Sequence, residues 1–121
     1  MMKKIIFDMN PLGSFSISNE AYIRYYEKKF EKKIYFYTRR KGKYIRIDNL
    51  EDIKSLKNRV ITLIDLGMEV DEIPFSDNVR VCPIDDSYEN DEVLKSIILE
   101  LGDRASWKNS KLQLIEVSDD F

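Results

Sequence analysis

The loop at residues 10–18 is the first segment whose residue types could bind a ligand. One glycine and three serines stand in it: Gly13, Ser14, Ser16 and Ser18. They precede a predicted helix, and a helix N-terminus offers free N–H groups and a positive dipole end that favour phosphate. The same residues fit ordinary helix capping, with Phe15 and Ile17 in the core. The sequence leaves both interpretations open.

A second candidate is the basic segment 39–46. Its arginines are Arg39, Arg40 and Arg46, and the tyrosines near them are Tyr35, Tyr37 and Tyr44. Interleaved basic and aromatic residues suit phosphates and stacked bases, but they also occur in half-buried strands with charged hairpin tips. Because the sequence pI is near 5.3, nucleic acid is not the expected partner. Arg80 and the segment 104–108, with Trp107, form a further predicted contact surface.

Catalytic chemistry has little support in the sequence. The chain has no histidine, so a serine or cysteine nucleophile lacks its usual base. Cys82 stands between Val81 and Pro83 and is expected to be a core thiol. We predict no catalytic residue, no cofactor and no metal site. Five acidic residues are the alternative, as metal ligands or an acid/base pair, although a turn and a helix cap explain them: Asp85, Asp86, Glu89, Asp91 and Glu92.

Composition indicates a globular protein with a heavily charged surface. The 121 residues are 43% hydrophobic and 35% charged, which predicts a single domain over 1–121. A lone cysteine cannot form an intrachain disulfide, and the apolar run behind the N-terminal lysines is too short for a signal peptide. We therefore expect a cytoplasmic protein without membrane contact.

Charge is distributed unevenly along the chain. Residues 1–46 hold twelve Lys/Arg and four Asp/Glu, a net charge of +8, whereas residues 47–121 hold eight and eighteen, a net charge of −10. This asymmetry predicts self-association into a homo-oligomer, or a basic phosphate-binding patch beside an acidic remainder. Mixing of the two halves over one folded surface is the simpler alternative.

Hydrophobic periodicity predicts two main helices. Ser18 is the expected N-cap of the first, whose core stripe is Tyr22, Ile23, Tyr26 and Phe30. Asn90 is the expected N-cap of the second, which ends at Gly102. Asn49 caps a short additional helix.

About five strands are predicted, at 3–9, 34–38, 44–47, 60–64 and 111–117, with a short one at 80–82 and an exposed loop at 65–78. The last strand has apolar side chains on both faces, as in a central position of a sheet. Strands and helices do not alternate strictly. The predicted class is therefore α+β, a mainly antiparallel sheet with two main helices on one face.

Several short motifs, taken together, resemble a family of small proteins encoded by bacteriophages and prophages. The motifs are Gly13-Ser14-Phe15-Ser16-Ile17-Ser18 with Ala21, Asp65-Leu66-Gly67, Arg80, Leu101-Gly102, Lys111-Leu112, Ile115-Glu116-Val117 and Asp119-Asp120. In that family the loop usually reads Asn-Arg-Cys-Tyr-Gly-Gly-Phe. This chain has Asn10-Pro11-Leu12-Gly13-Ser14-Phe15 instead.

The resemblance implies a counter-defence protein in a bacterial host cell. One such class consists of oligomeric sponges that sequester a nucleotide second messenger, of the cyclic ADP-ribose or cyclic oligonucleotide type. We therefore expect a small nucleotide ligand. The predicted ligand-binding residues are Gly13, Ser14, Phe15, Ser16, Ser18, Tyr22, Arg39, Arg40, Arg46, Arg80 and Trp107. The competing hypothesis is a module that inhibits a host protein partner through acidic residues 65–92.

Overall fold

Three α-helices and six β-strands make up the computed structural model, which describes residues 2–108 and 110–118. In chain order they are β1 (Met2–Asp8), α1 (Asn19–Phe30), β2 (Tyr35–Arg40), β3 (Lys43–Ile47), α2 (Leu50–Lys54), β4 (Val60–Thr62), β5 (Glu69–Val70), α3 (Glu92–Leu101) and β6 (Leu112–Ser118). All strand pairs within these residues are antiparallel, which confirms the α+β class. The strands form two sheets, where the sequence predicted one. In the described part of the chain, no helix has the length and apolar character needed to cross a membrane.

The chain divides into two compact units, which we describe separately. The first unit contains residues 1–30 and 84–121, and the second contains residues 31–83. Nine Lys/Arg and thirteen Asp/Glu give the first unit a net charge of −4, while eleven and nine give the second +2. Grouping the chain this way removes most of the asymmetry between the two halves of the sequence. A single domain over 1–121 stays a prediction.

In the first unit, the first and last strands form an antiparallel ribbon. β1 and β6 pair along their whole lengths, from Met2 opposite Ser118 to Asp8 opposite Leu112. α3 packs against β6 and against α1. Helical spacing places most apolar side chains of α3 on one buried face, formed by Leu94, Ile97, Ile98 and Leu101, while Leu99 is exposed. Gly102 ends α3 with a φ of 59°, as predicted.

The N-terminus of α3 differs from the prediction by one residue. Asp91, rather than Asn90, is the N-cap, and its Oδ1 accepts a hydrogen bond from the Leu94 N–H at 3.0 Å. Its Oδ2 accepts from the Tyr25 hydroxyl and from the Lys29 ammonium, each at 2.7 Å. One charged carboxylate thus serves three donors, which an amide side chain cannot match.

The buried face of α1 also differs from the predicted stripe. Tyr22 is buried, but Ile23 and Tyr26 are only half-buried, and Phe30 is 48% exposed. Tyr25, which is 2% exposed, takes the core position instead. A buried tyrosine needs a partner for its hydroxyl, and only this position offers the carboxylate and ammonium described above.

The second unit is a four-stranded sheet in the order β4-β2-β3-β5. β2 and β3 form a hairpin whose two-residue loop, Lys41 and Gly42, has positive φ at both positions, 52° and 79°. This geometry matches the twist of the flanking strands and favours glycine at the second position. The loop is shorter than expected because the strands continue to Arg40 and Lys43.

Two segments of the second unit differ from the prediction. Arg80, expected within a strand at 80–82, forms an isolated antiparallel bridge with Thr62. Pro83 follows closely and has no N–H to extend the pairing. The segment 65–78, expected as a loop, contains β5, which pairs with β3.

Candidate ligand-binding groove

Two cavities border the loop at 10–18 in the first unit. The one that we call the acidic cavity has a volume of about 530 Å³. Loop residues Gly13, Ser14 and Phe15 line it, together with Asp8, Asp85, Asp86 and Glu89, and no described lysine or arginine does. The hydroxyl and N–H of Ser87 donate hydrogen bonds to Asp85 and lower the pKa of that carboxyl. The negative charges that line the acidic cavity disfavour the binding of a phosphate there.

The second cavity, which we call the basic groove, has a volume of about 590 Å³. Its lining residues are Met9, Asn10, Pro11, Asp103, Ser106, Lys108, Ser110 and Lys111. Lys108 and Lys111 supply two positive charges against the single negative charge of Asp103. Both lysines are exposed, so their flexible side chains can reach an anion in the groove.

Hydrogen bonds fix the backbone of the basic groove. The Met9 N–H donates to the Lys111 carbonyl at 2.8 Å, and Asp8 Oδ1 accepts from the Lys111 N–H at 2.9 Å. On the other wall, Ser106 Oγ accepts from the Leu112 N–H at 2.8 Å. The groove is therefore built on the end of the β1–β6 ribbon, and a fixed frame reduces the entropy lost on binding.

Trp107 is not a lining residue of the basic groove, but its two chain neighbours, Ser106 and Lys108, are. It is the only tryptophan of the chain, and its side chain is half-buried. The Lys108 Nζ lies 4.3 Å from the centroid of the Trp107 ring, a cation–π distance. Lys108 has a φ of 54°, a left-handed conformation that is uncommon outside glycine. One of the two groove lysines thus lies over the aromatic ring of the residue that precedes it.

The serines of the loop at 10–18 are used in folding. Ser18 Oγ accepts a hydrogen bond from the Ala21 N–H at 3.1 Å, so Ser18 caps α1 as predicted. The Ser16 N–H donates to Ser110 Oγ at 2.9 Å, and the Ser110 hydroxyl donates to the Ser14 carbonyl. These contacts favour the capping interpretation over an anion site at the start of α1.

Tyr22 is also part of the folded core. It is 5% exposed, and its hydroxyl accepts a hydrogen bond from the Ile84 N–H at 2.9 Å. A ring this deeply buried cannot stack on a ligand in the present structure. The stacking part of the predicted set therefore rests on Trp107 and Phe15, and Phe15 lines the acidic cavity.

Arg46 and Arg80 make close contacts with neighbouring side chains of the second unit. Arg46 pairs with Asp48 and Asp65, and the hydrogen bond to Asp48, followed by that to Asp65, raises the pKa of its guanidinium. The Arg80 guanidinium lies 3.9 Å from the centroid of the Phe75 ring, over which it is placed. Their charges are already engaged by neighbouring side chains, which lowers their value for a phosphate.

Arg39 and Arg40 are exposed where β2 ends, and the Arg39 guanidinium lies 5.9 Å from the centroid of the Tyr44 ring. All four arginines belong to the second unit, whereas the other seven predicted ligand-binding residues belong to the first. The predicted set is therefore divided between the two units.

Sequence reasoning missed Ser110 and Lys111 as groove residues, although it named the adjacent segment 104–108. Their position depends on the pairing of the first and last strands, which brings Met9 beside Lys111. Periodicity within either strand cannot reveal such a long-range contact. The sequence feature that could have indicated this pairing is the presence of two apolar strands at opposite ends of the chain, each next to polar residues.

Cys82 is exposed, which contradicts the expected core thiol. Val81 is the buried neighbour, and the alternation of extended backbone points the next side chain outward. Within residues 2–108 and 110–118, no group of three or more acidic or cysteine side chains is arranged to hold a metal ion.

No protein-family model matches the sequence, and comparisons with curated proteins and with solved structures find no significant match. The resemblance to phage-encoded proteins therefore stays a prediction from the sequence motifs.

Proposed function

We propose that the protein binds and sequesters a phosphate-bearing nucleotide in the basic groove without chemically changing it. The observation that carries this proposal is that Lys108 and Lys111 both line the groove and that the Lys108 ammonium lies over the Trp107 ring. A nucleotide needs cations for its phosphates and a flat apolar surface for its base.

The two lysines supply the phosphate side of the proposed site. Ser106 and Ser110 add hydroxyls to the same lining, and Asn10 adds an amide. The groove volume of about 590 Å³ lies within the usual range for small-molecule sites. The neighbouring acidic cavity has the opposite charge, so an anion entering this part of the unit is directed to the groove.

Trp107 supplies the base-stacking side. Its ring is already in contact with the Lys108 ammonium, an interaction of roughly 0.5–1 kcal/mol at an exposed site. A bound nucleotide would exchange this contact for a phosphate–Lys108 contact and would cover the ring with its base. The exchange replaces one cation–π contact by a stronger charge-assisted hydrogen bond.

The wider role proposed for this binding is that of a phage counter-defence sponge. Such a protein would hold a cyclic ADP-ribose-type or cyclic-oligonucleotide messenger away from its receptor. Its support is the resemblance to phage proteins given above and the absence of histidine and cysteine from the groove lining. Sequestration requires binding alone.

The competing hypothesis, inhibition of a host protein through acidic residues 65–92, has weaker support. The segment is split between the two units, and several of its carboxylates have structural partners. Asp65 pairs with Arg46, Asp71 with Lys43, and Asp91 with Lys29. Fewer of these charges are therefore free to engage a partner.

A thermal-shift screen tests the proposal with cyclic dinucleotides, cyclic ADP-ribose and ADP-ribose as probes, and with inorganic phosphate as the comparison. Ligand at 100 times its dissociation constant stabilises the fold by about 2.7 kcal/mol. We expect a rise in melting temperature for at least one nucleotide that exceeds the rise for inorganic phosphate.

Matched variants locate the site. Lys111→Gln should weaken nucleotide binding at least tenfold, whereas Lys3→Gln removes the same charge from an exposed position outside the groove and should not. Equal loss in both variants would indicate a diffuse charge effect. No shift with any nucleotide at millimolar concentration would refute the proposal and direct the search to a protein partner.

A further inference from the structure

The β1–β6 ribbon has only two strands, although its composition suits a larger sheet. Each strand has seven residues, and neither pairs with a third strand among the described residues. Two-stranded ribbons have marginal stability unless they pack on other elements or gain more strands. The open edges of the ribbon are therefore the surfaces at which another strand can pair by hydrogen bonding.

The hydrogen bonds show which backbone groups point away from the ribbon. The Ile6 N–H donates to the Glu89 carbonyl at 2.9 Å, which lies outside the ribbon. The backbone N–H and C=O groups of Ile6 and of its register partner Leu114 therefore point away from the paired strand. Alternation then places the backbone groups of Glu116 outward as well. The outward backbone N–H and C=O groups of Leu114 and Glu116 make no hydrogen bond to any other described residue. Nearer the start of β6, the outward Leu112 N–H is already bonded to Ser106 Oγ.

The sequence of β6 is that of a central strand. Its apolar residues, Leu112, Leu114, Ile115 and Val117, fall on both faces, the pattern expected where both faces are covered. In the structure Leu112 is buried, but Leu114, Ile115 and Val117 are only half-buried. Open backbone groups and incomplete burial thus coincide on the same strand.

We propose that β6 pairs antiparallel with β6 of a second copy of this chain, forming a four-stranded sheet with the two β6 strands at its centre. A two-fold axis at Ile115 would place Leu114 opposite Glu116 of the second copy, so that the open backbone groups of these two residues face each other. No like charges would face each other directly in this register. The same surface on both copies makes the interface isologous and closed.

The β1 edge is a poorer choice for self-pairing. Lys3 and Lys4 are exposed on β1, and lysines on an edge strand oppose pairing. The outward N–H of Ile6 is already bonded to Glu89, whereas that of its register partner Leu114 on β6 is open. This dimer is independent of the proposed nucleotide site.

Proline variants test the interface. Glu116→Pro removes an N–H that faces away from β1, so it leaves the ribbon's own hydrogen bonds in place. Lys4→Pro is the matched control, because Lys4 is the register partner of Glu116 and its N–H faces outward on the opposite edge. Circular dichroism and melting curves establish that each variant is folded.

Sedimentation velocity from micromolar to millimolar concentration is the measurement. We expect the wild-type chain and Lys4→Pro to be dimers, with a dissociation constant at least tenfold higher for Glu116→Pro. A monomeric wild-type chain at every concentration would overturn the proposal, as would a dimer that Lys4→Pro dissociates and Glu116→Pro does not.

Hydrogen exchange on the wild-type chain gives a second readout that needs no variant. The Leu114 and Glu116 amides should be protected at concentrations where the chain is dimeric and exchange faster on dilution. Unprotected amides in a dimer would place the interface elsewhere and overturn the proposal.

Discussion

Asp91 makes three contacts in the first unit, and its removal should have a large and predictable effect. Loss of an N-cap costs about 1 kcal/mol, and loss of the hydrogen bond from the buried Tyr25 hydroxyl costs about the same. The Lys29 side chain is 38% exposed, so its ion pair with Asp91 adds only about 0.2–1 kcal/mol. Asp91→Ala should therefore lower the free energy of unfolding by about 2–3 kcal/mol.

Two further variants separate these contributions. Asp91→Asn keeps an oxygen for the Leu94 N–H but loses the charge, so we expect a loss of about 1 kcal/mol. Asn90→Ala is the matched control, because Asn90 is exposed and the sequence had named it as the cap. Its free energy of unfolding should stay within about 0.5 kcal/mol of the wild-type value.

Urea denaturation, followed by circular dichroism at neutral pH, measures all three variants. Coincident transitions with a second probe are needed, because the two units could unfold separately. A loss below about 0.5 kcal/mol for Asp91→Ala, or an equal loss for Asn90→Ala, would refute the assignment of Asp91 as cap and ion-pair partner.

Four other predictions follow from single residues. Ser18 Oγ accepts from the Ala21 N–H and caps α1, so Ser18→Ala should lower the free energy of unfolding, measured in urea, by about 1 kcal/mol and leave nucleotide affinity unchanged. Lost affinity at unchanged stability would contradict this role. Burial raises the pKa of Tyr25 to about 12 from 10.0, so the stability that wild type gains over Tyr25→Phe should be complete below pH 10 and lost as the pH rises through 12. For Asp91, burial opposes ionisation, but the Lys29, Leu94 and Tyr25 donors lower its pKa below 3.8, so its contribution should be lost as the pH falls below that value. Cys82 should react with Ellman's reagent in the native protein as fast as in urea, and marked protection would contradict its exposure.

The sequence predicted those parts of the fold that depend on local pattern. The apolar spacing of α3, the Ser18 cap and the positive-φ glycine at Gly102 are all local signals, and all three are found in the structure. The register of β1 with β6 joins residues more than a hundred positions apart and has no local signal. The basic groove, which is built on that pairing, was therefore recognised only in part.

Errors in the prediction arose where two neighbouring residues could do the same job. Asn90 and Asp91 are both good N-caps, and only the tertiary contacts with Tyr25 and Lys29 select Asp91. The ion pairs of Arg46 could not be predicted for a related reason. Its two carboxylate partners come from separate segments, and a sequence does not show which charges are already paired.

The central claim is that a nucleotide binds in the basic groove beside Trp107. Because Trp107 is the only tryptophan, tryptophan fluorescence reports on the surroundings of this one ring, and titration with cyclic dinucleotides and cyclic ADP-ribose is the most direct measurement. The account predicts saturable quenching by a nucleotide that Lys111→Gln weakens at least tenfold and Lys3→Gln does not. Unchanged fluorescence in the presence of a nucleotide that calorimetry shows to be bound would contradict it.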